Sequence, residues 1–96
     1  MKRIGFWRQT EDEDSELPWP GDFVDPNWDH DDKMRVVKLL ESGKIVQRWR
    51  GPSMCRLCGC FNGSADMQYG DKFYYSTGLS HYVKQHNVRL PEFNEL

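Results

Sequence analysis

The spacing of apolar side chains predicts a helix in the second quarter of the chain. Between residues 29 and 42, valine and leucine recur at the three- and four-residue intervals that form one face of a helix, while lysine and arginine take the other face. Asp29 or Asp31 is suited to cap the first turn, because an aspartate side chain accepts a hydrogen bond from a free backbone N–H there. Gly43 is suited to end the helix after about Ser42.

A change to alternating apolar and polar positions predicts strands in the third quarter of the chain. Residues 44–50 alternate in this way, and the Gly-Pro-Ser sequence at 51–53 is expected to end that strand. The dipeptide Asn62-Gly63 is typical of a tight turn. After it, residues 67–69 and 72–76 are expected to form two short strands joined by a Gly-Asp turn.

The last part of the chain is expected to contain a second helix, over residues 78–86. Ser76 or Thr77 is suited to cap its start, and Asn87 tolerates the left-handed conformation that ends many helices. The apolar residues among 88–93 are then expected to pack the tail against the body of the domain.

The first 28 residues show no regular period and are expected to divide into two parts. Residues 1–16 carry an apolar patch followed by acidic residues, which predicts an N-terminal arm that is mobile or only locally docked. Residues 17–28 combine three prolines with Trp19, Phe23 and Trp28. Because proline prevents a regular helix while aromatic rings favour burial, we expect an extended segment that packs these rings into the domain.

Length and composition bound the class of protein. The chain has 96 residues, of which 38% are hydrophobic and 29% are charged, and this composition is typical of one globular domain. No apolar run approaches the roughly 18 residues that span a bilayer. The basic N-terminus lacks the apolar core of a signal peptide. We therefore expect a cytoplasmic protein without a membrane partner.

Charge is distributed unevenly along the chain. The net charge is only −2, but ten acidic residues and no lysine or arginine lie between residues 9 and 32. Such a run is typical of a solvated loop or of an arm that binds a basic partner. Folding of the acidic run over the basic part of its own domain is a third alternative.

Two short clusters carry the residue types that bind zinc. Cys55 and Cys58 are separated by two residues, and His81 and His86 by four. Thiolates at that spacing lie on one tight knuckle, and both imidazoles can point inward if the end of the helix changes pitch slightly. Buried thiols or a redox pair are the alternatives, and the histidines downstream disfavour both. The four side chains predict one structural Zn²⁺ ion, which would stabilise a domain with a small core.

A third cysteine leaves a second ligand set open. Cys60 would supply a third sulfur, with His81 or His86 as the fourth ligand. We prefer the set without Cys60, because its spacing does not fit the same knuckle, and we expect its side chain to be buried against the hairpin. Cysteines this close together cannot build a disulfide framework around the fold, so a reducing compartment is expected.

The order of knuckle, hairpin and helix is typical of a zinc-finger-like or treble-clef-like ββα unit. The 22 residues between Cys58 and His81 exceed the dozen or so of a DNA-reading finger, which leaves room for an additional hairpin. The predicted fold class is therefore α+β. In a small single domain over residues 17–96, this unit follows a helix-strand unit and the extended aromatic segment.

Several short blocks of the sequence also occur together, in the same order, in other proteins. They are LLESG at 39–43, RG at 50–51, CRLCG at 55–59, NGS at 62–64, GLSHYV at 78–83, and His86 with VRLP at 88–91. Over roughly residues 18–93 the chain resembles a group of small, functionally uncharacterised bacterial and phage-associated proteins. The resemblance implies that the Cys and His clusters belong to one unit, with residues 62–64 and 89–91 as structural parts. One departure is Ser76-Thr77, where the group tends to have Trp-Pro, and it leaves the entry into the last helix open.

The ligand set favours a structural zinc over a catalytic one. A catalytic zinc keeps a position open for water and has a general base nearby, whereas four protein donors are present here and no carboxylate lies between His81 and His86. We therefore do not expect an enzyme, and a zinc-dependent hydrolase is the weakest alternative.

The expected function is that of a protein-binding adaptor or inhibitor. The candidate partner-binding residues are three aromatic side chains and two cations: Trp19, Phe23, Trp28, Arg48 and Arg50. The acidic arm at Glu11 to Glu16 is a further candidate, because it resembles a polyanion and suits a basic groove. A nucleic-acid-binding module is the alternative, in which Arg48 and Arg50 contact phosphates together with Arg56 and Lys72.

Overall fold

The computed structural model describes residues 1–96 and contains two helices and one four-stranded sheet. The helices are α1 (His30–Glu41) and α2 (Leu79–His86). The strands are β1 (Lys2–Arg3), β2 (Lys44–Met54), β3 (Phe61–Tyr69) and β4 (Phe73–Ser76). Short 3₁₀ turns cover Pro20–Phe23 and Pro91–Glu95. The predicted α+β class is therefore confirmed, while the finer likeness to a zinc finger or treble clef stays a prediction.

The sheet has the order β1-β4-β3-β2, so β2 is an edge strand. β2, β3 and β4 are antiparallel, whereas β1 runs parallel to β4. The main core lies between this sheet and the two helices. Its most deeply buried members come from β4, α1 and α2: Phe73, Tyr75, Val36, Leu40, Leu79 and Val83. The Tyr75 hydroxyl also donates a hydrogen bond to the Leu40 carbonyl at 2.7 Å, which ties the sheet to α1.

The predicted helices are present with the expected ends, except at the start of α2. Asp29 caps α1, and its carboxylate accepts a hydrogen bond from the Asp32 backbone N–H at 3.0 Å. Asn87 ends α2 in the left-handed conformation with φ 55°, as expected. The N-cap of α2 is Gly78 rather than Ser76 or Thr77, and no side chain caps this end. Neither helix is long and apolar enough to span a membrane.

The strand predicted over residues 44–50 is longer than the sequence indicated. β2 continues through Gly51-Pro52-Ser53 to Met54. Pairing nevertheless slips at this point, because Arg48 lies opposite Ala65 and Ser53 lies opposite Gly63. Gly51-Pro52-Ser53 thus forms an irregular bulge within a continuous strand and does not end it.

The turn predicted at Asn62-Gly63 is wrong, because both residues lie inside β3. Gly63 has φ 144°, and a Cβ placed there would overlap the Thr77 hydroxyl and lie 3.1 Å from the Gly78 nitrogen. The glycine is therefore required by the close approach of the chain that enters α2. A long-range contact has replaced the local turn that the dipeptide suggested.

The first seven residues dock on the body of the domain, which is the local docking that was allowed for residues 1–16. The Lys2 N–H donates to the Lys72 carbonyl and the Ile4 N–H to the Tyr74 carbonyl, each at 2.9 Å. The side chains of Ile4 and Trp7 are buried in the core, whereas residues 9–14 are exposed. The strand itself had no signal in the sequence, because a two-residue strand has no period of its own.

Substitution of Gly63 tests the contact between β3 and the start of α2. We expect Gly63→Ala to lower the free energy of unfolding by about 2 kcal/mol or more, because the new methyl group meets Thr77 and the backbone has a positive φ. The matched control is Gly51→Ala in β2, where a Cβ meets nothing within 4 Å. The control should change stability by less than about 0.5 kcal/mol. Equal urea midpoints for the two variants would contradict the contact.

Candidate metal centre

Cys55 and Cys58 lie on a tight loop that joins β2 to β3. The Cys55 N–H donates to the Cys60 carbonyl at 2.8 Å, and the Gly59 N–H donates to the Cys55 carbonyl at 2.9 Å. Gly59 adopts a positive φ of 76°, which allows the chain to reverse within these few residues. The Leu57 N–H lies 3.4 Å from the Cys55 sulfur and donates to it. Residues 55–60 are hereafter called the knuckle.

His81 and His86 come from the two ends of α2. Five residues correspond to about 500° of rotation in an ideal helix, which leaves two side chains roughly 140° apart. Here the two imidazole centroids lie only 5.3 Å apart. α2 ends directly after His86, where Asn87 is left-handed and the Val88 N–H donates to the Tyr82 carbonyl at 3.2 Å. A change of helix pitch between the two histidines stays a prediction.

The knuckle and α2 bring four potential ligand atoms together. One ligand atom from each of Cys55, Cys58, His81 and His86 lies within 4.8 Å of the other three. The Cys58 sulfur lies 3.4 Å from His81 Nε2. Tetrahedral zinc with the usual bond lengths requires separations of about 3.3 to 3.8 Å between its ligand atoms. The four side chains are thus close to the arrangement that one metal ion requires.

One nitrogen in this cluster has no partner within the protein. His86 Nε2 is buried and makes no hydrogen bond. A buried polar atom without a partner is unfavourable, because it has lost its hydrogen bonds to water. A metal ion among the four side chains would supply the missing partner. The cluster could therefore hold a metal ion, which would also give this nitrogen a partner.

The electrostatics of the cluster favour the metal-binding form of two side chains. The backbone N–H of Cys60 stabilises the Cys58 thiolate and lowers the pKa of that thiol. Burial lowers the pKa of His81, and the charge of His86 acts in the same direction. Burial instead raises the pKa of the Cys55 thiol. A nearby cation would favour the Cys55 thiolate and oppose this effect of burial.

Tyr82 positions the knuckle against α2, a role that no sequence pattern indicated. The Arg56 backbone N–H, between the two cysteines, donates to the Tyr82 hydroxyl at 2.7 Å. The Tyr82 ring is buried and packs against Trp7, with ring centroids 5.5 Å apart. Because Tyr82 directly follows His81, one turn of helix carries both a candidate ligand and the hydrogen bond that fixes the opposite loop. The role is visible only in the structure, because Arg56 and Tyr82 lie 26 residues apart in the sequence.

Cys60 lies outside the cluster of mutually close donor atoms. Its side chain is exposed, which corrects the expectation that it is buried against the hairpin. The neighbouring Cys58 sulfur raises the pKa of the Cys60 thiol. The geometry therefore favours the ligand set without Cys60.

The aromatic residues proposed for partner binding are mostly engaged within the protein. Trp28 is buried, stacks on Phe93 with centroids 6.1 Å apart, and donates its indole N–H to Asp32 at 2.7 Å. Phe23 packs against the core, whereas Trp19 is half-buried. The segment thus docks as expected, but its burial argues against Phe23 and Trp28 as a binding surface. Arg48 and Arg50 lie exposed on β2.

Comparisons with known proteins give no relative from which a function can be transferred. We compared the sequence with protein-family models and with curated proteins, and the structure with solved structures, and found no significant match. The functional assignment therefore depends on the geometry of the site and of the surface.

Cysteine substitutions distinguish the two ligand sets. We expect Cys55→Ser to reduce bound metal well below one ion per chain, because it removes a buried sulfur from the cluster. Cys60→Ser is the matched control and should retain one metal ion per chain. Metal content is measured by plasma mass spectrometry after gel filtration. Loss of metal from the Cys60→Ser protein would contradict the proposed geometry.

Removal of the Tyr82 hydroxyl tests the contact between the knuckle and α2. Tyr82→Phe leaves the Arg56 N–H without its acceptor, so we expect the free energy of unfolding to fall by about 1 to 2 kcal/mol. Tyr69→Phe is the control, since the Tyr69 hydroxyl makes no hydrogen bond to another side chain or to the backbone. Thermal unfolding of the metal-loaded proteins gives the comparison. Identical stabilities would show that this hydrogen bond does not hold the knuckle.

Proposed function

We propose that the protein binds one structural Zn²⁺ ion and acts as a small protein-interaction module. The observation that carries this proposal is the convergence of two sulfur and two nitrogen atoms within 4.8 Å, together with the buried, unpartnered His86 Nε2. Two thiolates and two imidazoles in a tetrahedral arrangement are a donor set that Zn²⁺ prefers. The bound ion would cross-link the knuckle to α2.

The composition of the cluster supports a structural rather than a catalytic ion. Four protein donors complete a tetrahedral shell, so a bound Zn²⁺ would have no open position for water. The cluster of close donor atoms contains no carboxylate that could serve as a general base. The function is therefore sought on surfaces away from the metal.

An acidic loop at residues 9–17 is the surface that we propose for partner binding. The Arg8 side chain donates to the Leu17 carbonyl at 2.8 Å and to the carbonyls of Glu11, Glu13 and Ser15 at 3.3 to 3.4 Å. This arginine gathers the backbone of the loop around one cation. The sequence did not indicate this role, because Arg8 stands at the edge of the acidic run.

The carboxylates of the acidic loop are free to meet a partner. All salt bridges of the protein involve other residues, and within the loop only the Glu13 carboxylate accepts a hydrogen bond, from the Gln9 N–H. A basic groove, such as the surface of a protein that handles nucleic acid, is the complementary partner. An inhibitor that occupies such a groove in place of phosphates is the most concrete form of the proposal.

The nucleic-acid alternative loses two of its four expected contacts. Lys72 donates to the Glu95 carbonyl. Arg56 donates to the carbonyls of Met54 and Arg8 at 2.7 and 3.4 Å. Only Arg48 and Arg50 are left without such contacts, so the geometry favours a protein partner.

Chelation tests the structural role of the metal. We expect complete removal of zinc to lower the free energy of unfolding by more than about 4 kcal/mol, because the ion binds only the folded cluster. Amide exchange should accelerate first in β3 and α2, and added Zn²⁺ but not Mg²⁺ should restore protection. Unchanged exchange after complete metal removal would contradict a structural ion.

Neutralisation of the acidic loop tests the proposed surface. The loop variant carries Glu11→Gln, Asp12→Asn, Asp14→Asn and Glu16→Gln, and retains Glu13. The control carries Asp22→Asn, Asp31→Asn, Glu41→Gln and Asp71→Asn, an equal change in charge elsewhere. We expect binding to a decalysine peptide, measured by fluorescence anisotropy, to lose most of its salt dependence only in the loop variant. Equal losses in both variants would show that net charge rather than the loop determines binding.

A further inference from the structure

β2 presents an edge whose backbone hydrogen-bonding groups are unused. It is the outermost strand of the sheet and spans 11 residues, from Lys44 to Met54. Over residues 44–50 its backbone makes no hydrogen bond beyond its pairing with β3, whereas the Met54 carbonyl at its end accepts one from the Arg56 side chain. Both faces of the strand are largely exposed, because only Trp49 and Ser53 are partly buried. Such an edge is a template for another extended segment.

The side chains on this edge carry one sign of charge. β2 contains Lys44, Arg48 and Arg50 and no acidic residue. None of the three cations forms a salt bridge. Since the whole chain has a net charge of −2, the remaining residues sum to −5. The strand is thus a basic strip on an otherwise acidic molecule.

Apolar side chains lie beside these cations. Ile45 and Val46 retain 41% and 42% of their exposure. In an extended partner, side chains alternate between the two faces. A partner strand that contains both acidic and apolar residues would therefore complement the cations as well as Ile45 and Val46.

Features that protect sheet edges are also present, and they limit what can bind. Pro52 lacks an N–H, and the pairing of β2 with β3 is irregular between Ile45 and Gln47 and again between Arg48 and Ser53. The edge that precedes Gly51-Pro52 is residues 44–50, and a partner strand there must accommodate the bulge at Val46. A second copy of this chain is disfavoured, because antiparallel pairing of two β2 strands would bring cations close to cations. An acidic strand meets no such repulsion.

We propose that residues 44–50 of β2 bind an extended, acidic segment of a partner protein, which adds a fifth strand to the sheet. This surface is separate from the acidic loop and does not depend on the proposed function of that loop. A nucleic acid would use the cations but not the row of backbone groups, and this difference makes the two occupants distinguishable.

Three labelled probes of equal length test the proposal on the metal-loaded full chain. The first is a ten-residue peptide that alternates glutamate with valine, and the second replaces two of its valines with proline. The third is a single-stranded deca-thymidine. We expect the first peptide to bind more tightly than the other two, and to slow amide exchange in residues 44–50 specifically.

Charge variants give the matched control. Arg48→Gln with Arg50→Gln should weaken binding of the alternating peptide roughly three- to tenfold, because two exposed ion pairs are lost. Lys38→Gln with Lys84→Gln makes the same change in net charge on the helices and should leave the affinity within about twofold.

Four results would overturn the proposal. They are equal binding of the alternating and proline-containing peptides, tighter binding of deca-thymidine than of the alternating peptide, no binding of any probe at low salt, and protection of residues 44–50 by self-association without a probe. The first result would show that the peptide binds through charge alone, and the second that the surface binds nucleic acid. The third would show that the edge binds no acidic strand, and the fourth that a second copy of the chain occupies it.

Discussion

The contact between the knuckle and α2 is the constraint on which the C-terminal half of the protein depends. Four donor atoms meet there within 4.8 Å, and one of the four residues, His86, has a buried Nε2 without a partner. Without a cation this arrangement buries polar atoms at a cost, whereas a bound cation turns the same atoms into a cross-link. The cross-link would join the β2–β3 connection to the last helix across about 30 residues of sequence.

The N-terminal residues support this contact from the opposite side. β1 extends the sheet beyond β4, and the segment that follows it places Trp7 against Tyr82. Tyr82 in turn accepts the Arg56 N–H of the knuckle. A continuous path of packed side chains therefore leads from the start of the chain to the candidate metal centre. In a domain with only 21 buried residues, the metal cluster and this path reinforce one small core.

Features with a strong local signature could be predicted from the sequence. Asp29 as a helix cap, Asn87 as a left-handed end and the pairing of the Cys and His clusters all depend on residue types at short, fixed spacings. Predictions failed where contacts distant in sequence decide the conformation. Asn62-Gly63 forms a strand because the entry to α2 lies against it, and Trp28 is unsuited to the predicted partner-binding role because its ring stacks on Phe93 in the core. No local pattern encodes those neighbours.

We propose that Cys55, Cys58, His81 and His86 together bind one Zn²⁺ ion. X-ray absorption spectroscopy at the zinc edge of the purified protein tests it most directly, because it counts the atoms bound to the metal. We predict two sulfur neighbours at about 2.3 Å and two imidazole nitrogens at about 2.0 Å. Three sulfur neighbours would place Cys60 in the site. A light-atom neighbour without imidazole scattering would show an open coordination position, and either result would contradict the structural centre described here.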